Sequence, residues 1–442
     1  MQNTSLLDRK LRAEGFSGQF NDMLCSHLRA DGYSGQLNDM LFRKLRDSGY
    51  TGTLSEMLNS VAKEDYEPLF GFDLLALFAD GANGILTDLS TAGMLYQTTA
   101  VQLLATQGNP VGLVLDRSQW TAPLASGPTA AEVLDPVLGP ELVTNGSFNG
   151  GITGWTITNG GSATVDGSGY RITNVDTGAS TISQSLVTEV GKRYFVSFGV
   201  LGFGGGATSG QIRIGTTAGA FNVEFSAQLV GSWPISFVAT STTTFVSVAA
   251  NSGSIGAYGS YDNISVREIP GNHLAQTVSA DRPTLDVTDG LTSLEFNGVN
   301  QHLKVNAQNV GTGVSYLACP ILTTDTLGVI LGHSSGARIG LFNSGDSLEI
   351  SNGAGTPTFY VDGVEVADRG ELYSALTLGG WKIFEATGLD LTSANWSLTN
   401  LAGYGGALFF EGRMGDLVLQ HDYTPDEGTR SKIRTALLAG GV

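Results

Sequence analysis

Cysteine is nearly absent: the 442 residues contain only Cys25 and Cys319, far apart in the chain. That excludes a disulfide framework, and both are expected as free thiols. Charge is also scarce, at 14% of residues, and it leans acidic, with 23 basic against 41 acidic side chains and a formal net charge of −18. Such a surface repels phosphate backbones and anionic headgroups alike, so neither nucleic acid nor a membrane surface is an expected partner. Long apolar runs are missing too. No stretch approaches the roughly 18–20 apolar residues of a membrane span, and Met1 to Gly15 is polar, without the apolar core of an export signal. Neither membrane insertion nor Sec export is expected.

Glycine, in contrast, is plentiful at 61 residues, and Ser, Thr and Asn fill the spaces between short apolar runs. This composition reads as many short strands joined by turns. The length exceeds what one hydrophobic core usually supports, so two or three domains are expected. Charge is also uneven, because residues 1–63 hold 8 basic and 7 acidic side chains and the remainder carries −19.

The first 63 residues contain a repeat: LRAEGFSGQFNDML, LRADGYSGQLNDML and LRDSGYTGTLSEML start at Leu11, Leu28 and Leu45, 17 residues apart. In each unit a glycine (Gly15, Gly32, Gly49) follows a short apolar-periodic run, where a left-handed residue stops a helix without a Cβ penalty. The next aromatic can fold back on that helix, and Leu-Asn-Asp-Met-Leu or its variants opens the next one, with acids favourable near its N-terminus. Such helices are marginal alone. Residues 1–63 are therefore expected to serve as an anchor or oligomerisation segment through Met23, Leu24, Met40, Leu41, Met57 and Leu58.

From about residue 70 the apolar period becomes two. DLSTAGMLYQTTAVQLLATQGNPVGLVLDRS (Asp88 to Ser118) and GNHLAQTVSADRPTLDVTDGLTSLEFNGVNQHLKV (Gly271 to Val305) read as two pieces of one domain, separated by a self-contained β segment. Thr121 to Pro140, rich in Ala, Pro and Gly, and Pro270-Gly271 mark its flanks. The expected organisation is residues 1–63 as helical repeats, 64–140 with 270–442 as one discontinuous sandwich, and 141–269 as an inserted jelly roll. The fold class is thus mainly β, two sandwiches with one inserted in the other, behind a small α-helical repeat segment.

Residues 141–269 resemble the carbohydrate-binding jelly-roll modules found beside glycanases. Asn145-Gly146-Ser147-Phe148 with Gly154-Trp155 opens the segment, GKRYFVSFGVLG and TTTFVSVAA supply central strands, and Tyr261-Asp262-Asn263-Ile264-Ser265-Val266 closes it. The host segments resemble the concanavalin/laminin-G-like sandwich through LEFNGVNQHLKV at Leu294, FYVDGVEV at Phe359 and LFFEGRMGDLVLQHDYTPDEGTRSKIRTALL at Leu408. There Phe359 to Val366 is expected as a hairpin tipped by Asp362-Gly363, and Thr424 to Leu438 as a helix. LRxxGYxG repeats ahead of such a sandwich look like an arrangement of tailed-bacteriophage virion proteins. That resemblance implies a virion location, assembly in a host cytoplasm with release by lysis, contacts with other virion proteins through residues 1–63, and a homo-oligomer, with a trimer favoured.

Catalytic spelling is thin. A glycoside hydrolase needs two carboxylates across a cleft, whereas Asp362, Glu365 and Asp368 are three apart and share no strand face. Gly332-His333-Ser334-Ser335-Gly336 spells a nucleophile elbow, but Ala337 to Phe342 reads as a strand where an elbow needs a helix. His27, His273, His302, His333 and His421 are scattered, and the glycines around Gly202-Phe203-Gly204 read as a flexible loop without a phosphate cradle.

Sugar binding asks for flat aromatic faces with amide or carboxylate neighbours. The expected glycan-contacting residues are Trp155, Tyr170, Trp233, Tyr258, Tyr261 and Asn263, with Asp262 beside them and Tyr258 the best platform. Trp381 and Trp396 are host candidates. No cofactor is expected, and a laminin-G-like calcium site would draw on Asp325, Asp346 and Asp416. Taken together, the sequence reads as a non-enzymatic virion element displaying lectin-like domains. A capsule or cell-wall depolymerase and a purely architectural decoration protein are the alternatives.

Overall fold

The structure, a computed structural model, describes residues 24–25, 28–29, 33–34, 36–47, 74–91, 93–99, 101–120, 134–305, 313–333, 336–392, 399–403 and 408–440. The chain divides into two compact units, Met1–Ala82 with Pro425–Val442, and Asn83–Thr424. The last helix, Glu427–Leu438, falls in the first of these units.

In the first unit the second repeat's LNDML opens the helix Leu37–Asp47, with Lys44 and Arg46 in its last turn, where cations favour the helix dipole. Met40, Leu41 and Leu45 lie buried along one stripe, while Phe42 is exposed. The Tyr33 amide donates to Leu28 O at 2.9 Å, while its ring lies under Lys44 Nζ of the following helix, 5.9 Å from the ring centre. Leu24 and Leu28 are buried. Met23, Met57, Leu58 and the three repeat glycines lie outside the described residues. The helix Glu427–Leu438 starts where Asp426 accepts the Thr429 amide at 2.7 Å, and it buries Ile433, Ala436 and Leu437.

The second unit is mainly β, and every described strand pair in it is antiparallel. One host sheet runs in the order Thr284–Thr288, Leu291–Asn297, Glu411–Met414, Ser315–Leu322, Lys382–Leu389, Thr358–Val361, Val364–Val366. Gly84–Leu86 joins it through Val418–Gln420. The other host sheet runs Leu95–Tyr96, Leu113–Val114, Leu274–Ala275, Leu303–Val305, Thr399–Leu401, Leu327–Gly332, Arg338–Asn343. Strands from before residue 141 therefore pair with strands from after residue 269: Leu113–Val114 with Leu274–Ala275, and Gly84–Leu86 with Val418–Gln420. Phe296, Phe342, Phe384 and Phe410, each at most 1% exposed, fill the core between the two sheets. At the hairpin tip Asp362 (φ 50°) and Gly363 (φ 82°) both adopt the left-handed region that a two-residue primed turn demands.

Residues 141–269 form two five-stranded sheets of their own. The first is Glu224–Gln228, Gly210–Gly215, Thr243–Ala250, Thr181–Val187, Thr156–Thr158; the second is Gly231–Val238, Arg193–Gly204, Tyr258–Ile269, Gly169–Thr173, Ser162–Asp166. Alternation explains the layering: Tyr194, Val196, Phe198 and Val200 meet Ile212, Ile214, Val246 and Val248 in the core, all buried. The Asn145-Gly146 opening crosses the last strand so closely that a Cβ at Gly146 would stand 1.8 Å from Ile264 O. Gly202-Phe203-Gly204 is the end of a strand paired with Tyr258–Ser260, not a loop, because its backbone groups are spent in that ladder.

The outward face of the second inserted sheet packs on the host. Phe195 joins the host core, Ser236 Oγ donates to Thr99 O at 2.6 Å, and Arg193 Nη1 donates to Thr99 O at 3.0 Å and Ser236 Oγ at 2.9 Å. Desolvation of this buried guanidinium pulls its pKa down to about 10. At the root of the insertion Trp120 Nε1 donates to Pro270 O at 2.9 Å, and His273 is clamped between the Asp116 amide (3.0 Å to Nδ1) and Ile269 O (3.0 Å from Nε2). Those partners assign the Nε2–H tautomer. Burial, then the nearby Arg193 charge, pull the imidazole pKa down to about 3. Asp116, also buried, accepts the Leu86 amide at 2.8 Å and the Asn272 amide at 2.6 Å, and burial raises its pKa.

Candidate functional site

The six residues expected at a glycan site do not share a face. Trp155 is 6% exposed, its indole N–H donating to Thr144 O and Asn145 O while its ring lies 5.2 Å from Phe148. Tyr261 is fully buried, its phenol accepting the Gln211 amide at 2.7 Å and donating to Ala249 O. Neither ring can stack on a ligand; both are spent inside the sandwich. Tyr170 packs half-buried against that core, 5.9 Å from Phe148, and Trp233 donates to Leu229 O at 2.9 Å and packs there too. Asn263 is exposed with φ 52°, at the irregularity in the ladder between Asp262 and Ser265. Tyr258 points outward, but the Arg171 guanidinium already covers its ring at 4.0 Å. It is not the bare platform expected.

The other outward face of the inserted sandwich gathers a set that the sequence reading did not select. Along Gly210–Gly215 the order Gln-Ile-Arg-Ile alternates, sending Ile212 and Ile214 into the core and Gln211 and Arg213 to the opposite face. Arg213 is held flat: Nε and Nη2 donate to Gln211 Oε1 at 3.1 and 2.8 Å, and Nη1 to Gly219 O at 3.4 Å. Gln211 donates onward to Asn251 Oδ1, and Asn251 to Thr208 Oγ1 at 3.3 Å, extending a polar ladder across the strands.

Two phenyl rings flank this ladder. Phe225 lies directly across from Arg213 on the neighbouring edge strand, and Phe221 lies in the connecting turn with its ring centre 5.6 Å from the guanidinium. The rings are 5.8 Å apart, and 60% and 42% of Phe221 and Phe225 respectively remain exposed. Their turn is built in place, since the Thr216 amide donates to Asn222 Oδ1 at 3.0 Å, Asn222 Nδ2 to Thr216 Oγ1 at 3.0 Å, and the Gly219 amide to Ser247 Oγ at 3.1 Å. Partial burial lowers the Arg213 pKa by desolvation, which leaves an arginine charged. The period-two spelling QIRIG followed by FNVEF was the available signal. The spelling alone does not show that Phe225 stands opposite Arg213, because that pairing is set by the ladder between two strands.

Other candidates resolve into structural work. Asp362 accepts the Ile383 amide at 2.8 Å and Asp368 caps the helix Arg369–Leu376, so these two do turn and cap work, while Glu365 stands exposed on the strand Val364–Val366. Trp381 donates to Thr288 O at 3.2 Å; Trp396 and Ser334 lie outside the described residues. The three calcium candidates do not meet. Asp416 accepts from Leu89 N at 2.7 Å and Thr87 Oγ1 at 3.2 Å, Asp346 pairs with Arg369 at 3.0 Å, and Asp325 accepts turn amides. Among the described residues no group of three or more metal-ligating side chains assembles. Cys319 is buried and free, and Cys25 is free and half-buried.

No family model and no curated protein matches the chain. Among solved structures it is similar to a family 4 carbohydrate-binding module, at 16% identity over 28% of this chain and 99% of that one, with a TM-score of 0.22. It is also similar to the tandem CBM22-1–CBM22-2 domain of Paenibacillus barcinonensis Xyn10C, at 12% identity over 64% and 98% of the two chains, with a TM-score of 0.27. A third likeness, to the enzymatically active domain of bacteriophage CBA120 tailspike protein 4, has 16% identity over 29% of this chain and 21% of that chain, with a TM-score of 0.23. At such scores these likenesses carry no functional weight.

Proposed function

We propose that this chain is a non-enzymatic structural protein of a tailed-phage particle, a fibre, spike or decoration element, whose inserted sandwich recognises host-surface glycans. The observation that carries the recognition half is the outward strip of Arg213, Phe221 and Phe225, backed by the buried Gln211. Phenyl faces stack on pyranose C–H groups and guanidinium N–H groups reach hydroxyls, while the buried Gln211 amide holds the guanidinium in position. The ladder and the stapled turn hold these groups in place before any ligand arrives, which lowers the ordering cost of binding. The nearly neutral residues 1–63 would attach the chain to other virion proteins or to sister copies, a trimer by preference, because this segment meets the least repulsion in an otherwise acidic chain.

The test is binding of the purified protein to immobilised capsule and wall polysaccharides. Replacing both Phe221 and Phe225 by Ala should weaken binding about tenfold or more, as loss of central aromatic contacts does. Binding that ignores this change would move the site elsewhere. Absence of binding to every polysaccharide would favour the purely architectural decoration protein.

One observation favours the depolymerase alternative. Asp325 and Glu411 line the same recess of about 450 Å³ in the host sandwich, beside Leu408 and Phe409. Against it, Asp325 Oδ1 accepts the Thr326 amide at 2.7 Å and the Leu327 amide at 3.3 Å, and Oδ2 accepts the Glu411 amide at 3.3 Å. That is a turn-capping role. Reducing ends released from a polysaccharide by the protein, and lost in Glu411→Gln, would establish the enzyme instead.

A further inference from the structure

Arg213 is neutralised differently from its neighbours. In the inserted sandwich Arg171 pairs with Asp166 at 2.9 Å, Arg267 with Asp135 at 2.5 Å and Lys192 with Glu268 at 3.4 Å. Arg193 donates only to neutral oxygens, with the Glu224 charge acting on it at longer range, and is 7% exposed and sealed against the host. Arg213 is outward-facing and also meets only neutral oxygens, those of Gln211 and Gly219, and among the described residues no carboxylate forms an ion pair with it.

A chain with 41 acidic residues had many ways to supply a counter-ion here and supplies amides instead. Gln211 Oε1 takes the Nε–H and one Nη2–H and Gly219 O takes one Nη1–H, so one N–H on each terminal nitrogen has no hydrogen bond among the described residues. Gln211 is itself fixed by Asn251 and, through its backbone, by Tyr261, so the fork is rigid. A planar, immobile, partly desolvated guanidinium without a carboxylate matches the geometry of a carboxylate or sulfate group.

We infer that the strip binds an anionic glycan, one whose sugars carry a carboxylate or a sulfate, with that group on Arg213 and the adjoining ring on Phe221 and Phe225. This rests on the glycan reading above and narrows it to a substrate class. The net charge of −18 opposes an acidic polymer over the rest of the surface, so the attraction has to come from Arg213 itself, in a close pair that added salt screens less than that longer-range repulsion.

The experiment measures binding of the full chain to matched polymers: a uronic-acid polysaccharide and its carboxyl-reduced form, and a sulfated polysaccharide and its desulfated form. The expected result is about tenfold or greater preference for one acidic form, the scale of a hydrogen bond to a charged group. Which pair shows it identifies carboxylate or sulfate. Arg213→Gln should erase the preference while the thermal transition stays in place, and Arg213→Lys, which keeps charge but loses the fork, should restore part of it. Equal binding of acidic and neutral forms, or a preference that survives Arg213→Gln, overturns the inference and leaves glycan recognition standing. No binding to any of the four polymers overturns both.

Discussion

The inserted sandwich has two outward faces, and each is built around an arginine whose hydrogen bonds go to neutral oxygens. On one, Arg193 donates to Thr99 O and Ser236 Oγ and is buried, with Phe195 beside it in the host core. On the other, Arg213 donates to Gln211 and Gly219 O beside exposed Phe221 and Phe225. The hydrogen-bonding inventories are alike; what differs is water. A guanidinium sealed from solvent with satisfied partners fastens two bodies, and removing it leaves acceptors stranded. A partly exposed guanidinium with uncommitted N–H groups is, on the reading proposed above, a ligand contact. The comparison teaches that the partner list of a cation says less about its role than whether the remaining donors face protein or solvent.

The largest separation of the two faces should come from deletion of the sealed cation. Arg193→Ala strands Thr99 O and Ser236 Oγ at the seam and leaves a void. It is expected to cost about 3 kcal/mol of stability, read as a lower thermal or urea midpoint, with per-molecule glycan affinity preserved. Acid should act on the same seam. His273 has a folded pKa of about 3 against an ordinary 6.5, and the charges facing it are Arg193 and Lys192, with Asp116 at its Nδ1 side. A depressed histidine pKa means the unfolded chain binds the proton more readily. Its contribution is therefore complete above pH 6.5 and is lost as pH falls toward 3, at up to about 1.4 kcal/mol per pH unit. Unfolding followed from pH 7 to 4 should show this slope, and His273→Gln, which keeps an acceptor for the Asp116 amide, should flatten it.

The open strip was less legible in the sequence than the seam's surroundings. Turn and cap chemistry read correctly because it is local: Asp362-Gly363 sits at its hairpin tip and Asp426 at its helix start, each dictated by residues within a few positions. Residues 141–269 also read as β throughout, since period-two alternation is local as well. What alternation alone does not tell is which face of a strand looks inward once two sheets stack. Trp155 and Tyr261, chosen for their flat rings, turned out to be interior anchors because large rings gain most from burial. The strand from Gly210 to Gly215 carried the better signal in its polar positions, Gln211 and Arg213. Their meaning depended on Phe225 across the ladder, a pairing no short window displays.

A smaller effect links the interior to the strip. Tyr261 crosses the core to accept the Gln211 amide and to donate to Ala249 O, so it ties the second inserted sheet to the strand that carries Arg213. Tyr261→Phe keeps the ring and removes both bonds, leaving a buried donor and acceptor unpaired, at an expected cost of about 1–2 kcal/mol. If Tyr261 also steadies the strip, glycan affinity should fall while the variant remains folded. Unchanged affinity would confine its role to the core.

The smallest expected stability change is at the open arginine, and its smallness is the sharpest test of the comparison. Arg213 and Gly219 are both partly exposed, so removing the guanidinium lets water reach Gly219 O and the otherwise buried Gln211 Oε1. Its contact with Phe221, at 5.6 Å in a half-exposed setting, contributes about 0.5–1 kcal/mol at most. Arg213→Ala should therefore shift the unfolding midpoint by less than a third of the shift from Arg193→Ala, while abolishing discrimination between acidic and neutral polysaccharides. Two arginines with matching neutral partners would then give opposite outcomes, stability lost at one and recognition lost at the other. Equal destabilisation at both positions would mean that Arg213 is a structural clamp, and that the strip's polar ladder exists to hold the edge of the sheet rather than to meet a ligand.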